Sequence, residues 1–549
     1  MLSDRYADLA GLPRQPDDRP VTVELVFAEP LAPETLRDRV AAALPGLPVE
    51  VASAFGAPLD RYHFVTFPDL PADGQEPLVF AFARALRAET GASDANPVLS
   101  DSIYGAAALG PVDEEGFLSL CETPRTNLSP FGWVHPVINT PAAWQATRGE
   151  GTRVAVIDTG YSSHQELNGA ILQQGQLNLV EGGTDARDRF STGIMKHPGH
   201  GTLLCSVVAS RGSADAAGNV TGPGAVTGAA PAADILPIRA IKSVVNFDQR
   251  TIPAAIAHAT AQGAGVIAMA LGGPTRVSST ERALRDAVAA GVVIVCAAGN
   301  CWPSVVFPAA YAAQGLCTAV AALTHTLTPW AKSGRGPEVT LSAPGENVWG
   351  AAKNRADDPD TGVKAAQGTT LATSLTAGCA ALWVARHGGR QALRQKAQAA
   401  GTTVQAMFVA CATRGLMKPP VWKGATNLGA GVLDAHHLLS AALPTGAGGH
   451  EAVADADLPP EGVEPTSAIL VTHLANHAPE ALDEYGPEVA EFAGELLWLS
   501  YRTGARRRVA DSGQEGPALE AMLTPDTPSP GLRAALAGKP ALRAVAGSF

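Results

Sequence analysis

Four polar residues of this sequence stand where apolar segments end or helices begin. The motif VAVIDTG places Asp158 at the end of an apolar strand, and HPGHGTLLCSVVA places His200 just before the small-residue start of a helix. The motif VVIVCAAGN ends with Asn300, and AAQGTTLATSLTAG carries Thr370 at the start of a further helix. In chain order, these residues supply a carboxylate, an imidazole, an amide and a hydroxyl.

These four groups are the components of nucleophilic catalysis at a carbonyl. A threonine hydroxyl is a weak nucleophile at neutral pH, so an imidazole such as that of His200 must accept its proton during attack. A carboxylate such as Asp158 holds the imidazole tautomer, and the amide of Asn300 is suited to donate to an oxyanion. Each residue alone also has a simpler interpretation: Asp158 as a turn former or helix cap, His200 as a surface residue and Asn300 as part of a Gly-Asn turn.

The central part of the chain has the pattern of a scaffold that brings strand ends together. Short apolar strands such as RVAVID, DILPIRA, GVIAMAL and VVIVCAAG alternate there with helical segments such as TIPAAIAHATAQ and STERALRDAVAA. This alternation predicts the α/β class, with a doubly wound, mostly parallel sheet covered by helices on both faces. Ligands of such sheets bind at the carboxyl ends of the strands.

The length of 549 residues is enough for two or three domains. Segments of strand and helix pattern in the order β-α-β-β-α-β predict a small α+β ferredoxin-like domain before the central one. A linker rich in Gly, Pro and acidic residues precedes a helical C-terminal extension, whose strongest helical part is PEVAEFAGELLWLSYR. The predicted divisions are an N-terminal extension at 1–20, the ferredoxin-like domain at 21–105, a linker loop at 106–132, the main domain at 133–443, a linker at 444–467 and the helical extension at 468–549.

The composition argues against several classes of partner. A net charge of -12 argues against a general affinity for nucleic acid. The first twenty residues contain acidic residues and prolines rather than an apolar signal, and no run of about 18 apolar residues predicts a membrane span. Seven cysteines without regular spacing favour reduced, buried thiols and a cytoplasmic location. A disulfide between Cys296 and Cys301 is the alternative.

Together with further motifs, the four residues resemble those of the subtilisin-like serine proteases, peptidase family S8. VIAMALGGP is similar to the substrate-binding strand of that family, VFPAAY and LSAPGENVWG to its later core turns, and GAGVLDAHHLL to its final helix. The resemblance covers Pro136 to Leu443. It implies an endopeptidase that acts on peptide or protein substrates without a cofactor. It also implies that the ferredoxin-like domain is a prodomain and an intramolecular inhibitor, with an unrelated small domain as the alternative.

The sequence departs from the family at the nucleophile. Aligning GTTLATSLTAG with the family pattern Gly-Thr-Ser-Met-Ala-x-Pro puts Thr370 in the place of the serine, and the usual proline is absent. Ser374 lies one helical turn further on, and we expect it to point away from the helix start. The methyl group on the Cβ of Thr370 restricts χ1, and a misplacement of about 1 Å can cost about 10²-fold in rate.

Three interpretations of Thr370 are open. The chain is a slow protease, or a catalytically silent pseudoprotease that binds peptides or a protein partner through the same cleft, or a device that cuts only its own prodomain. The third needs only a slow nucleophile because the substrate is held at high effective concentration. The presence of Asp158, His200 and Asn300 in full motifs favours hydrolytic chemistry. In the silent alternative, the C-terminal helices offer a surface for a protein partner.

The resemblance also assigns residues that contact the substrate. It implies that Leu271, Gly272 and Gly273 form an edge strand on which a peptide pairs by β-augmentation, as would the last prodomain segment NPVLSDSIYG or the residues just after it. Val306 stands where the family often has a glycine at the base of the pocket for the residue before the cut. We therefore expect that pocket to prefer small or medium apolar residues over Tyr or Phe. The segment AIKSVVNFDQR lacks the glycine run that often forms the opposite substrate edge.

The family resemblance also raises the question of calcium. The loop SRGSADAAGNVTGPG offers Asp215 and Asn219 as oxygen ligands. Calcium takes six or more oxygen ligands, and two side chains in a polar loop do not make such a set. No metal ligand is therefore predicted.

Overall fold

The structure is a computed structural model that describes ten stretches of the chain: residues 2–12, 19–72, 75–99, 130–191, 196–212, 226–244, 248–300, 304–445, 465–511 and 527–547. These form an N-terminal α+β domain, a central α/β domain and a C-terminal helical region. None of the helices in these stretches is both long and apolar enough to cross a membrane.

The N-terminal domain is an antiparallel four-stranded sheet covered by helices. Its strand order is β2-β3-β1-β4, with β1 antiparallel to both β3 and β4. This is the arrangement of a ferredoxin-like fold. The elements are α1 (Leu2–Ala10), β1 (Pro20–Leu31), α2 (Pro33–Ala43), β2 (Glu50–Ser53), β3 (Asp60–Pro71), α3 (Glu76–Thr90) and β4 (Asp94–Val98).

The alternating pattern of β1 explains the core of this domain. Val21, Val23 and Leu25 share one face of the strand and are fully buried. Phe67 of β3 and Phe82 of α3 meet edge to face in the same core, with ring centroids 5.0 Å apart.

The central domain is built on a seven-stranded sheet of order β11-β10-β9-β8-β5-β7-β6, in which every neighbouring pair is parallel. The strands are almost wholly buried because helices cover both faces of the sheet. Their sequences are therefore continuous apolar runs. They are β5 (Arg153–Asp158), β6 (Leu177–Asn178), β7 (Asp234–Arg239), β8 (Val266–Met269), β9 (Val293–Ala297), β10 (Thr318–Leu323) and β11 (Val339–Pro344), and an antiparallel hairpin follows with β12 (Val348–Ala351) and β13 (Val363–Ala366).

Helices of the central domain carry two of the candidate residues at their first turns. The longest helix, α9, is rich in Ala, Thr, Ser and Gly, and these small residues let it pack closely against α6, β9 and β10. The helices are α4 (Val134–Val137), α5 (Thr140–Ala143), α6 (His200–Ala209), α7 (Ile252–Ala261), α8 (Ser278–Ala289), α9 (Thr369–Arg386), α10 (Gly389–Ala399), α11 (Val404–Thr413) and α12 (Ala435–Ser440).

The C-terminal region is helical and packs on the other two domains. Its buried leucines, including Leu470 and Leu496, share one apolar cluster with the sheet of the central domain. Its helices are α13 (Pro465–His477), α14 (Pro487–Ala490), α15 (Ala493–Asp511), α16 (Pro530–Ala535) and α17 (Pro540–Val545).

The fold class predicted from the sequence is confirmed: a doubly wound parallel sheet, a ferredoxin-like domain before it and helices after it. Two details differ. The segment PEVAEFAGELLWLSYR is divided between α14 and α15, because the chain leaves the helix after Ala490 and starts the next at Ala493. The C-terminal helices begin at Pro465, three residues before the predicted boundary.

Candidate active site

Three of the four candidate side chains form a continuous line of contacts. Nδ1 of His200 lies 2.8 Å from Oδ1 of Asp158, and Nε2 of His200 lies 3.4 Å from Oγ1 of Thr370. Asp158 ends β5, whereas His200 begins α6 and Thr370 is the second residue of α9. With Nδ1–H donating to the carboxylate, Nε2 is free to accept a proton from the hydroxyl. The contact to Thr370 is longer than a strong hydrogen bond, as is common in sites without substrate.

Glycine brings the acid and the imidazole together. The start of α6 touches the turn after β5 so closely that a Cβ on Gly201 would lie 2.0 Å from the carbonyl oxygen of Gly160. Gly160 itself has φ of +101°, and a Cβ there would lie 2.3 Å from the carbonyl oxygen of Ala186. The glycines after Asp158 and His200 are therefore required by packing, which explains the form of the two motifs.

A second aspartate, Asp188, accepts hydrogen bonds from residues next to Asp158 and His200. Oδ2 of Asp188 accepts hydrogen bonds from the Thr159 hydroxyl at 2.9 Å and the Gly199 backbone N–H at 2.8 Å. Thr159 follows Asp158, and Gly199 precedes His200, so Asp188 connects the turn after β5 to the start of α6. The buried Arg239 lies 3.7 Å from Oδ1 of Asp188 and makes an ion pair with Glu181 at 2.7 Å.

The sequence motifs predict neither Asp188 nor Arg239 as part of the site. Asp188 stands in the polar stretch DARDRF, which has no motif, and Arg239 reads as the end of an apolar strand. The only signal is an arginine in an otherwise buried strand, which requires an acidic partner. The hydrogen bonds from Arg239 lower the pKa of Glu181 to about 2.

Asn300 is held by the residue before Thr370. Its Oδ1 accepts hydrogen bonds from the backbone N–H of Thr369 at 2.9 Å and from the Thr369 hydroxyl at 2.8 Å. Because the oxygen is fixed in this way, the amide nitrogen occupies the other arm, near Gly368, where a Cβ would lie 2.9 Å from it. The amide is thus oriented as a donor beside the start of α9.

The first turn of α9 offers a further donor. The first N–H groups of a helix lack partners within the helix, and their end of the helix dipole favours negative charge. Thr370 is the second residue of the helix, so its backbone N–H belongs to this set. Ser374 lies inside the helix instead, where its hydroxyl donates to the carbonyl oxygen of Thr370 at 3.0 Å. Ser374 is therefore turned away from the helix start, as expected.

Some of the backbone groups assigned to substrate pairing already have partners within the chain. The N–H of Gly272 donates to the carbonyl oxygen of Val244 at 3.0 Å, and Gly273 forms a two-way bridge with Phe307 at 3.0 and 2.9 Å. Leu271 is buried in the apolar core. The pairing expected for NPVLSDSIYG is not seen up to Leu99, because β4 pairs with β1 and ends at Val98. Residues 100–105 lie outside the described part of the chain.

The side chain of Val306 packs against Gly272 and Gly299. It is 2% exposed, and its methyl groups come within 2.6 Å of where a Cβ of Gly272 would stand and 2.9 Å of where a Cβ of Gly299 would stand. Gly272 and Gly299 follow β8 and β9, so the valine side chain lies between the exits of two adjacent strands.

The residues considered for calcium binding and for a disulfide lie partly inside and partly outside the described stretches. Asp215, Asn219 and Cys301 lie outside the described residues. Among the residues that are described, no group of three or more His, Cys, Asp or Glu side chains is arranged to hold a metal ion. Five cysteines in these stretches are free and buried: Cys205, Cys296, Cys317, Cys379 and Cys411.

Known proteins resemble this chain over the central domain. The model of the Subtilase family, Peptidase S8, matches residues 149–431. Thermitase of Thermoactinomyces vulgaris is 30% identical over 246 residues, which are 45% of this chain and 79% of thermitase. The intracellular serine protease of Paenibacillus polymyxa is 30% identical over 253 residues, 45% of this chain and 70% of that protein.

Two further matches cover a larger share of this chain than the two relatives above. Mycosin-3 of Mycobacterium tuberculosis is 30% identical over 393 residues, 59% of this chain and 76% of mycosin-3. Among solved structures, MycP1 with its N-terminal propeptide removed has a TM-score of 0.44 and 24% identity, covering 57% of this chain and 98% of MycP1.

Proposed function

We propose that this chain, which belongs to the Subtilase family, is an endopeptidase that cleaves peptide bonds by acyl transfer with Thr370 as its nucleophile. Members of the family are serine proteases, so the reaction class follows from the family. The threonine nucleophile is the part that we propose. The observation that carries it is the line of contacts from Asp158 through His200 to Thr370.

Proton transfer in the proposed reaction follows that line. Oγ1 of Thr370 attacks the carbonyl carbon while its proton moves to Nε2 of His200, and Asp158 stabilises the imidazolium through Nδ1. The C–N bond breaks as His200 gives the proton to the leaving amine, which leaves an ester on Thr370. Water then attacks the ester with His200 as the base. The products are a carboxylic acid and the restored hydroxyl.

Two donors support the oxyanion in this proposal. One is Nδ2 of Asn300, because Thr369 holds the amide oxygen on the opposite arm. The other is the backbone N–H of Thr370 at the start of α9. Donors fixed in advance cost no reorganisation during the reaction, which is why such groups contribute strongly to the rate.

The methyl group of Thr370 sets the expected rate. Thr370 is 6% exposed and sits in a tightly packed helix start, so its χ1 choices are few. The 3.4 Å distance to His200 must shorten for proton transfer. We therefore expect a slow enzyme, suited to cleavage of a substrate that is held in place.

Comparison of three chains tests the nucleophile. The wild type should cleave peptides slowly, Thr370→Ser should be faster by up to about 10²-fold, and Thr370→Ala should be inactive. Ser374→Ala is the matched control, since Ser374 bonds within the helix, and it should leave the rate unchanged. Cleavage by Thr370→Ala at the wild-type rate would contradict the proposal.

One observation favours a second candidate, a catalytically silent protein that binds a partner through the same cleft. Nε2 of His200 lies 3.4 Å from Oγ1 of Thr370, and the Cβ methyl group narrows the χ1 choices of Thr370, so the hydroxyl is not strongly hydrogen-bonded to the base that must take its proton. The same three chains separate the candidates. A silent wild type beside an active Thr370→Ser chain would support this alternative.

We further propose that the N-terminal domain is a prodomain and an intramolecular inhibitor. Its support is a contact between Glu24 of the N-terminal domain and the start of α8 in the central domain. The Glu24 carboxylate accepts hydrogen bonds from the backbone N–H groups of Ser278 and Ser279 at 2.7 and 2.8 Å. A carboxylate at a helix N-terminus is stabilising. Mass spectrometry of the stored protein tests self-processing, with a cut between residues 100 and 130 expected in the wild type and absent in Thr370→Ala.

A cytoplasmic location is also a proposal. Its support is the set of five free, buried cysteines in the described residues, which suits a reducing compartment. Fractionation of cells that express the native gene, with detection by antibody, tests it. Recovery of the protein from the medium would contradict it.

A further inference from the structure

A buried ion pair joins the N-terminal domain to the C-terminal region. Nη1 of Arg84, on α3, lies 3.1 Å from Oε2 of Glu495, on α15, and the Glu495 side chain has no exposed surface. The Glu495 carboxylate also accepts two hydrogen bonds from Ser529, one from its backbone N–H at 2.6 Å and one from its hydroxyl at 2.8 Å. Nη2 of Arg84 donates to the same hydroxyl at 3.2 Å. Three segments far apart in the chain therefore share one closed network.

Aromatic rings surround this network. The guanidinium of Arg84 stands over the ring of Phe492, 4.4 Å from its centroid. One turn earlier on α3, Phe80 packs against Trp498, with ring centroids 5.9 Å apart. A charge pair enclosed by apolar rings is costly to break, because either charge left alone stays buried without a partner.

The C-terminal region is anchored to the central domain by other residues. The Tyr501 hydroxyl donates to the carbonyl oxygen of Val305 at 2.5 Å, and its ring lies beside that of Phe307. The leucines of α13 and α15 continue the apolar core of the central sheet. Neither the Tyr501 hydrogen bond nor the contacts of these leucines with the central sheet involve Arg84.

The opposite side of the N-terminal domain contacts the central domain directly. Besides the bonds of Glu24, Asp94 of β4 lies 3.1 Å from Arg276, and Asn96 donates to the Ser278 hydroxyl at 3.0 Å. The N-terminal domain is thus held on two sides, by α8 through its sheet and by α15 through its helix α3.

We propose that Glu495, Phe492, Trp498 and Ser529 form a binding site for the N-terminal domain, which keeps that domain attached as a separate polypeptide after the chain between them is cut. The site recognises a cationic residue flanked by an aromatic one on a helix, namely Arg84 and Phe80. The proposal does not depend on the catalytic activity of Thr370. In the uncut chain, the connection supplies a high effective concentration that hides the strength of the site.

The experiment uses the full chain with a recognition sequence for a specific protease inserted between Gly110 and Pro111. Thr370→Ala is included as the background so that self-processing plays no part. The chain is purified, cut and passed over a size-exclusion column. The fragment that ends at Gly110 should elute with the remainder, and in Arg84→Met it should dissociate at least about tenfold faster. Release from the unaltered chain at the rate seen in Arg84→Met would overturn the proposal.

Two further variants keep the result interpretable. Arg5→Met removes an arginine of the same domain from an exposed ion pair with Asp8 and should leave retention unchanged. If Arg84→Met fails to fold, as judged by circular dichroism before cutting, Arg84→Met with Glu495→Met replaces it, because this pair leaves no lone buried charge. The double variant should also release the fragment faster. Retention equal to that of the unaltered chain in the double variant would overturn the proposal.

Discussion

The chemical side and the recognition side of the candidate active site are built differently. On the chemical side, His200 lies between Asp158 and Thr370, and Thr369 holds the amide of Asn300. On the recognition side, Gly272 is bonded to Val244, and Val306 fills the space next to it. The two sides meet at Gly299, whose N–H donates to the Thr369 hydroxyl and which lies against Val306, but their other contacts differ. Separate substitutions on each side can therefore show which one limits the protein.

The largest effect is expected on the chemical side from Asp158→Asn. An amide in this place lets the imidazole adopt the wrong tautomer, and the expected loss is about 10⁴-fold in kcat with the geometry preserved. The change is made in the Thr370→Ser background so that the lower rate remains measurable with a chromogenic peptide. Asp185→Asn, in an exposed ion pair with Arg187, is the control. Equal losses in the two variants would mean that Asp158 has no part in catalysis.

A smaller loss is expected from Asn300→Ala in the same background. Removing one oxyanion donor costs about 10²- to 10³-fold in kcat with little change in KM. Thr369→Val keeps the amide but removes the hydroxyl that fixes its oxygen, so the loss should be smaller, about tenfold. Thr373→Val, at a buried hydroxyl without a partner in the described structure, is the control. A change in KM alone would place Asn300 on the recognition side.

The recognition side is probed by Val306→Ala. Shortening this side chain opens space between Gly272 and Gly299, so cleavage after Phe relative to Ala should rise about tenfold, as the added volume accepts a larger group. Val305→Ala is the matched control because Val305 is equally buried and adjacent. Kinetic profiling with peptides that differ only before the cut gives the ratio. An unchanged ratio would show that Val306 does not line the pocket.

The two sides also differ in how far the sequence predicts them. Asp158, His200 and Asn300 follow strands or open helices, and a parallel sheet brings such positions to one edge whatever the details of the loops. The seven-stranded sheet and the ferredoxin-like order follow in the same way from strong apolar periodicity. The predicted fold is confirmed because it depends on short stretches of sequence, and the roles of the three residues stay predictions.

What the sequence does not predict depends on contacts between distant segments. The bond from Gly272 to Val244, the support of Thr159 and Gly199 by Asp188, and the pairing of Arg84 with Glu495 each join residues without a shared motif. The break between α14 and α15 belongs to the same class, since the helical pattern runs through Glu491 without interruption. Tertiary packing decides such features, and local preference carries little information about them.

The smallest effect is expected from Glu181, which forms an ion pair with Arg239 beside Asp188. Arg239 lowers the pKa of Glu181 from its ordinary 4.5 to about 2, so the ion pair stabilises the fold above pH 4.5 and loses its effect as the pH falls towards 2. The Glu181 side chain is 35% exposed, so solvent screening limits the contribution to about 1 kcal/mol or less. Glu181→Gln should lower the thermal midpoint slightly at pH 7, and the difference from the wild type should narrow below pH 4.5 and vanish towards pH 2.

A difference that stays constant between pH 7 and pH 3 would assign the loss to shape rather than to charge. The rate of the Thr370→Ser enzyme adds a second readout, because the Arg239 guanidinium contacts Asp188 and the carbonyl oxygen of Thr159, next to the turns that carry Asp158 and His200. A small loss of stability with an unchanged rate would mean that Asp188 holds those turns by its own hydrogen bonds. A fall in rate beyond the loss of stability would mean that the ion pair positions Asp188, which would extend the chemical side of the site to the end of β7.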